Sequence, residues 1–216
     1  MDNRRFSLID LGLGEIDKAI KVLSAPARSA REVPAAPEGT PEGAALQAAQ
    51  RAESVRLMRV NHSGEVAAQA LYQGQALTSR DSAVSAAMRL AAAEEIDHLA
   101  WCEQRLRELD GRTSVLNPLW YAGSFAIGAL AGTLGRSTGL GFVAETERQV
   151  ESHLRGHLER LGEADPRSRA ILEQMTHEEM QHGAQAASLG GQELPFPVGM
   201  AMRLTARLMT LSSYWL

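Results

Sequence analysis

The chain has 216 residues, enough for one domain with a substantial core. Hydrophobic residues make up 44% and aromatics only 5%, in long stretches of Ala, Leu, Glu, Arg and Gln that favour helix. Lys and Arg total 22 against 26 Asp and Glu, a net charge of −4 that excludes the basic footprint of a nucleic-acid binder, and the single Cys102 excludes an internal disulfide or a cysteine-based zinc site.

Cys102 itself reads as a small, semi-buried helix residue in a protein of a reducing compartment. The amino terminus, Met1-Asp2-Asn3-Arg4-Arg5, leads into no long apolar run and no cleavage pattern, so no secretory signal is expected. Residues 7–23 predict a short amphipathic helix, with Leu8, Ile9, Leu11, Leu13, Ile16, Ile20 and Leu23 apolar. Residues 25–43, rich in Ala, Pro, Glu and Gly, read as a mobile linker. Residues 1–44 are thus expected to be a helix-and-linker appendage, and 45–216 the main domain.

Four long helices are predicted at 45–78, 82–109, 140–162 and 166–189. Asp81 and Asp165 are the expected N-caps, the latter with Pro166 at the first helical position, and Gly190-Gly191 ends the fourth helix. Between the second and third helices, residues 118–143 are almost uncharged, with Arg136 the sole exception. The run 118–135 is marginal for a spanning helix, which needs about 20 apolar residues. Its glycines and the Trp120-Tyr121 pair suit a segment at the membrane interface or along an apolar channel, and equally a buried crossover of the bundle. In 198–216, Met200, Leu204, Leu208, Leu211 and Trp215 recur at helical spacing, and Arg203 and Arg207 are the only charges. That stripe fits packing on a core slightly better than lying on an anionic membrane surface.

Glutamate and histidine recur on the long helices in two matching sets. Glu65 is followed thirty residues later by Glu95-Ile96-Asp97-His98, and Glu147 thirty-two residues later by Glu179-Met180-Gln181-His182. With this composition, six histidines predict about 0.7 acidic residues three positions earlier by chance, and two occur. The midpoints are Arg80, inside Thr78-Ser79-Arg80-Asp81-Ser82, and Glu163, inside Gly162-Glu163-Ala164-Asp165-Pro166; both read as turns. At roughly 1.5 Å per residue, each antiparallel hairpin returns to the level of its lone glutamate, roughly 20 Å from the turn. Within Glu-x-x-His, positions i and i+3 share a helix face and can reach one metal ion. A glutamate from each of two helices and a Glu-x-x-His from each of two others is the ligand set of a carboxylate-bridged di-metal centre in a ferritin-like four-helix bundle. Four carboxylates and two neutral imidazoles suit iron or manganese, and four glutamates balance two divalent charges in a buried core.

Other residues compete for roles. His62, three before Glu65, is an outer partner or a ligand; Glu94, Glu178 and Asp97 are solvated charges or outer partners. Glu151 rivals Glu147, because its midpoint with Glu179 also falls in the turn. His153 lies about 120° around the helix from Glu147, and nothing singles out His157 or His177.

The segments Arg59-Val60-Asn61-His62-Ser63-Gly64-Glu65, Glu94-Glu95-Ile96-Asp97-His98, Glu145-Thr146-Glu147-Arg148-Gln149-Val150-Glu151-Ser152-His153 and His177-Glu178-Glu179-Met180-Gln181-His182 resemble, in order and interval, the bacterial form of the Coq7 family of ubiquinone-biosynthesis hydroxylases. The resemblance spans residues 50–216 and includes the apolar crossover. It implies an all-α, ferritin-like bundle with Glu65, Glu95, His98, Glu147, Glu179 and His182 as ligands of two iron ions per chain, choosing Glu147 over Glu151, and His153 as an outer partner near the centre. Eukaryotic members carry a tyrosine where this chain has Leu154, so a role for that tyrosine does not transfer. The implied reaction is hydroxylation of 3-demethoxyubiquinol, a prenylated methoxy-methyl-benzoquinol, with O2 as co-substrate and a reductant that the motifs do not identify. A prenyl tail calls for an apolar entrance, which tips the crossover and the carboxyl-terminal helix toward peripheral contact with the cytoplasmic side of the cell membrane. Other ubiquinone-biosynthesis proteins or a second copy of the chain are the implied protein partners. The alternative is an iron-storage or peroxide-detoxifying bundle of the ferritin or rubrerythrin kind. Ferritins usually carry one Glu-x-x-His, and rubrerythrins usually add a cysteine-rich iron site, which one Cys cannot form. A non-enzymatic helical partner protein would have no use for six ligands at one depth.

Overall fold

Two antiparallel helical hairpins form the centre of the computed structural model, which describes residues 8–36 and 46–216. The helices are α1 Leu8–Ser24, α2 Ala48–Thr78, α3 Ser82–Glu108, α4 Asn117–Thr133, α5 Arg136–Leu161, α6 Pro166–Ser188 and α7 Phe196–Trp215, and no strand occurs among the described residues. The expected helix start at residue 7, the linker stretch 37–43 and the expected start of the first bundle helix at 45 lie outside the described residues.

Both hairpin turns fall where the cap chemistry places them. The Asp81 carboxylate accepts from Val84 N at 3.1 Å, and Asp165 accepts from Ser168 N at 3.0 Å. Asp165 also receives Arg105 Nη2 at 2.8 Å, which ties the start of α6 to α3. α6 ends as Gly190 turns into positive φ (102°), the conformation glycine adopts without cost.

The core is layered along the bundle. One apolar cluster holds Leu57 and Met58 of α2, Trp101 and Leu106 of α3, Leu154 of α5, and Leu172 and Met175 of α6. The other holds Leu71 and Tyr72, Val84 and Met88, Leu140 and Val143, and Ala186 from the same four helices. On every helix the stretch between the two clusters carries the glutamates and histidines singled out above, so apolar layers close the site from both ends. Burying each large side chain of these layers contributes about 1.5–3 kcal/mol.

The apolar crossover is both packed and exposed. α4 lies directly on α2: a Cβ at Gly128 would strike the Leu71 carbonyl, and one at Gly74 the Phe125 carbonyl, while Thr78 Oγ1 donates to Ala129 O at 2.7 Å. The opposite face leaves Leu119 and Leu130 in solvent, as is Leu134 just after the helix. α5 begins at Arg136, four residues earlier than expected, which shortens the irregular part of the crossover. The stripe of α7 does not pack on the core as its pattern slightly favoured. Met200, Leu204, Leu208, Leu211 and Trp215 are exposed, and the helix buries Gly199 and Ser213 instead. Leu13, Ile16 and Ile20 of α1 are exposed too, while Ala19, Val22 and Leu23 pack beside Val66, Leu99 and Tyr121. Cys102 is fully buried, deeper than expected, with Met175 Sδ at 3.9 Å.

Candidate metal centre

The four bundle helices bring Glu65, Glu95, His98, Glu147, Glu179 and His182 to one level. Their donor atoms form two overlapping sets, Glu65, Glu95, His98 and Glu179 in one, and Glu95, Glu147, Glu179 and His182 in the other, with the atoms of each set within 4.8 Å of one another. Glu95 and Glu179, the glutamates of the two Glu-x-x-His motifs, belong to both. All four glutamates and His98 are buried, and His182 is nearly so.

Both imidazoles face the same way. His98 Nδ1 lies 3.0 Å from Glu95 Oε2 and 3.2 Å from Glu179 Oε1; His182 Nδ1 lies 3.3 Å from Glu179 Oε2 and 3.4 Å from Glu95 Oε1. The Nε2 edges point outward. His98 Nε2 donates to Glu178 Oε2 at 2.6 Å and His182 Nε2 to Glu94 Oε2 at 2.8 Å. The acid immediately before each motif, visible in the sequence as Glu-Glu-x-x-His twice over, therefore reaches across to the histidine of the other.

The electrostatics are those of a cation site. Burial, with the charges of the neighbouring glutamates, pushes Glu65 and Glu147 well above the usual carboxylate range. Burial would push Glu95 the same way, but the charge of His98 and its hydrogen bond hold that carboxyl below the usual range. Burial would lower His182, yet hydrogen bonds to Glu179 and Glu95 and their charges raise it to about 11. Glu147 Oε1 is buried without a hydrogen-bond donor. Four acids gathered in an apolar layer, one with an oxygen left unpaired, fit two neighbouring divalent cations better than they fit one another.

The competing residues are not members of either donor set. Glu151 faces outward and binds Arg155 at 2.9 Å. His62 sits between Glu103, at 3.5 Å, and Asn117, at 3.2 Å, outside both donor sets. His153 stacks edge-on against His157, ring centroids 3.9 Å apart, and His157 Nδ1 donates to Asn61 Oδ1 at 2.8 Å. His177 is exposed beside Gln181.

One contributor was not foreseen. The described part of the segment expected to be a mobile linker straps across α3 and α6. Arg31 Nε binds Asp97 at 2.5 Å, its Nη1 and Nη2 bind both oxygens of Glu178 at 2.6 and 2.9 Å, and its guanidinium stands 4.7 Å over the Trp101 ring. Ala27 N donates to Glu103 at 3.1 Å and Ala30 N to Asp97 at 2.7 Å. Arg31, one of two arginines in an Ala/Pro-rich stretch, belongs to no local pattern from which this could be read.

The chain is similar to known proteins. Residues 52–213 match the family model described as "Ubiquinone biosynthesis protein COQ7". The 3-demethoxyubiquinol 3-hydroxylase of Chromobacterium violaceum is 54% identical over 207 residues, covering 96% of this chain and 99% of that protein. The enzyme of the same name from Bordetella pertussis is 53% identical over 213 residues, covering 99% and 95%. Among solved structures, the dodecameric thioferritin of Bacteroides fragilis, a bacterioferritin-related protein, superimposes with a TM-score of 0.53 at 17% identity, covering 71% of this chain and 89% of that one, which shows a ferritin-like fold. From the match over most of its length and the identity to these relatives, the chain belongs to the COQ7 family of ubiquinone-biosynthesis proteins.

Proposed function

We propose that the chain is a di-iron 3-demethoxyubiquinol 3-hydroxylase of ubiquinone biosynthesis, with Glu65, Glu95, His98, Glu147, Glu179 and His182 as the iron ligands. The observation that carries this reading is the meeting of four buried carboxylates and two imidazoles in two donor sets that share Glu95 and Glu179. The identity to hydroxylases of that name over nearly the whole chain supplies the substrate class. One atom of O2 would enter the ring C–H of the quinol as hydroxyl and the other leave as water, with two electrons and two protons from the quinol, which becomes the quinone, or from a reductant acting through it. The two irons, when bound, supply the reductive activation of O2.

The side chains have separate tasks. Glu95 and Glu179, common to both donor sets, would serve both ions; Glu65 and His98 would complete one set, and Glu147 and His182 the other. Each imidazole offers Nδ1 inward while Glu178 or Glu94 keeps the ring proton on Nε2, so both enter as neutral donors once the Nδ1 proton is displaced. The apolar layers above and below exclude water from the level of the reaction.

A prenylated quinol resides in a membrane. The exposed Leu119 and Leu130 of α4, Leu134 just after it, and Leu204, Leu208, Leu211 and Trp215 of α7 support peripheral contact with the cytoplasmic face of the cell membrane, with the exposed Arg203 and Arg207 adding attraction to anionic lipid. Among the described residues no helix is long and apolar enough to cross a membrane. The same faces suit docking of other ubiquinone-biosynthesis proteins or of a second copy.

The test is an anaerobic ferrous titration of metal-stripped protein, followed by addition of reduced 3-demethoxyubiquinone and air. Saturation at two irons per chain and a product heavier by one oxygen are expected. Uptake of hundreds of irons per assembly without product would instead make this a storage protein.

A further inference from the structure

The two halves of the centre share a motif but differ in what lies behind it. Resting on the ligand assignment above, we propose that Arg31 is a positioning residue: through Glu178 and Trp101 it fixes the His98 imidazole, so that the Glu65–His98 half binds its metal ion first and more tightly than the Glu147–His182 half.

Arg31 uses all three of its nitrogens. Two form a fork onto Glu178, and Nε reaches Asp97, whose other oxygen accepts Ala30 N at 2.7 Å and Ser29 Oγ at 2.9 Å. The guanidinium is thus located by its own backbone as well as by two helices. Glu178, held also by Gln174 Nε2 at 2.5 Å, passes that location to His98 Nε2. The Trp101 ring, under the guanidinium, lies 5.4 Å from the His98 ring. His98 is accordingly gripped at its outer edge and on one side.

His182 has the matching acid but not the clamp. Glu94 is 45% exposed against 12% for Glu178, and among the described residues no ion-pair partner other than His182 reaches it. His182 is itself 12% exposed where His98 is 0%. A ligand oriented before the metal arrives loses little rotamer freedom on binding, and an outer carboxylate that stays in place raises the basicity of the donor nitrogen. An exposed carboxylate is screened by water and gives less of both. The Arg fork matters because Lys offers one point charge in place of two parallel N–H donors. Asp97 and Glu178 lie 66 and 147 positions from Arg31, so the asymmetry comes from outside the repeated motif.

The experiment is a cobalt(II) titration of the metal-stripped full chain, with visible absorption identifying each step and a competing chelator giving its affinity. The wild-type chain should show two steps of unequal affinity. Arg31→Met should weaken the tighter step by about 10-fold, the lower end of the range for losing an outer partner because Glu178 itself stays, and leave the weaker one unchanged. Arg31→Lys should fall between, and keeps the test readable if Arg31→Met does not fold. Glu94→Gln should weaken only the second step. Arg31 variants that leave both steps unchanged, or weaken both alike alongside a lower thermal midpoint of the metal-free chain, would overturn the proposal and leave a structural strap. A wild-type chain that fails to bind two cobalt ions would overturn the ligand assignment too, before any substitution is made.

Discussion

Two pairs of histidines sit inside this bundle in opposite surroundings. His98 and His182, ring centroids 6.5 Å apart, are ringed by carboxylates, which outweigh burial and raise His182 to about 11. His153 and His157, 3.9 Å apart, have no acid paired with them among the described residues; burial and the charge of Arg160 lower His153 to about 4, and burial with His153 and Arg160 lowers His157 to about 2. Burial beside a cation and away from carboxylates leaves the imidazole neutral. What makes a donor for a cation is burial together with carboxylates that need one.

The sharpest way to break this comparison is to remove an acid common to both donor sets. Glu95→Gln or Glu179→Gln should abolish binding of two irons and lower quinol hydroxylation by more than about 100-fold, beyond the range for an outer partner. His157→Gln should leave the iron count at two. Inductively coupled plasma analysis and product mass read both.

Metal removal comes next. Four buried carboxylates without a counter-charge repel one another, so metal loading should raise the thermal midpoint. At a free metal concentration of 1,000 Kd the gain is about 4 kcal/mol, or roughly 10 °C for a chain of this size. Equal midpoints for loaded and stripped protein would mean that the cluster does not need a cation.

The neutral pair should show itself through pH. His153 has a folded value of about 4 against about 6.5 unfolded, so between these values the unfolded chain binds more protons. Its contribution is complete above about pH 6.5 and is lost as pH falls toward 4, to the extent of about 3 kcal/mol. Denaturant unfolding of metal-free protein at several pH values should be steeper for wild type than for His153→Gln; identical slopes would show that the pair is not held neutral.

The smallest effect sharpens the choice between neighbouring acids. Glu151→Gln removes one exposed pair with Arg155, should cost about 0.5 kcal/mol or less, and should leave iron binding intact. Glu147→Gln should lose metal.

Much of the arrangement was legible because helices are regular. A fixed rise per residue and turn signals at Arg80 and Glu163 put each lone glutamate level with its Glu-x-x-His, and Asp81, Asp165, Pro166 and Gly190 marked the ends within a residue or two. The doubled Glu-Glu-x-x-His showed an extra acid before each motif, but spacing did not separate an outer partner from a solvated charge, and the crossed pairing of Glu94 with His182 and Glu178 with His98 came from the tertiary structure.

The sequence by itself determined the all-helical fold, the hairpin registers and the level at which the acids and histidines stand, since these follow from backbone periodicity and local caps. The tertiary structure decided the rest. Spacing left Glu147 and Glu151 open and only the family resemblance chose Glu147; the roll of α5 about its axis gives the physical reason, turning Glu147 inward and Glu151 outward. Packing of α2 against α4 and α7 decided which apolar faces remain open, because an amphipathic stripe states that it needs cover and not what covers it. The Arg31 strap joins residues far apart in sequence, and contacts made across such distances leave no period for a local pattern to reveal.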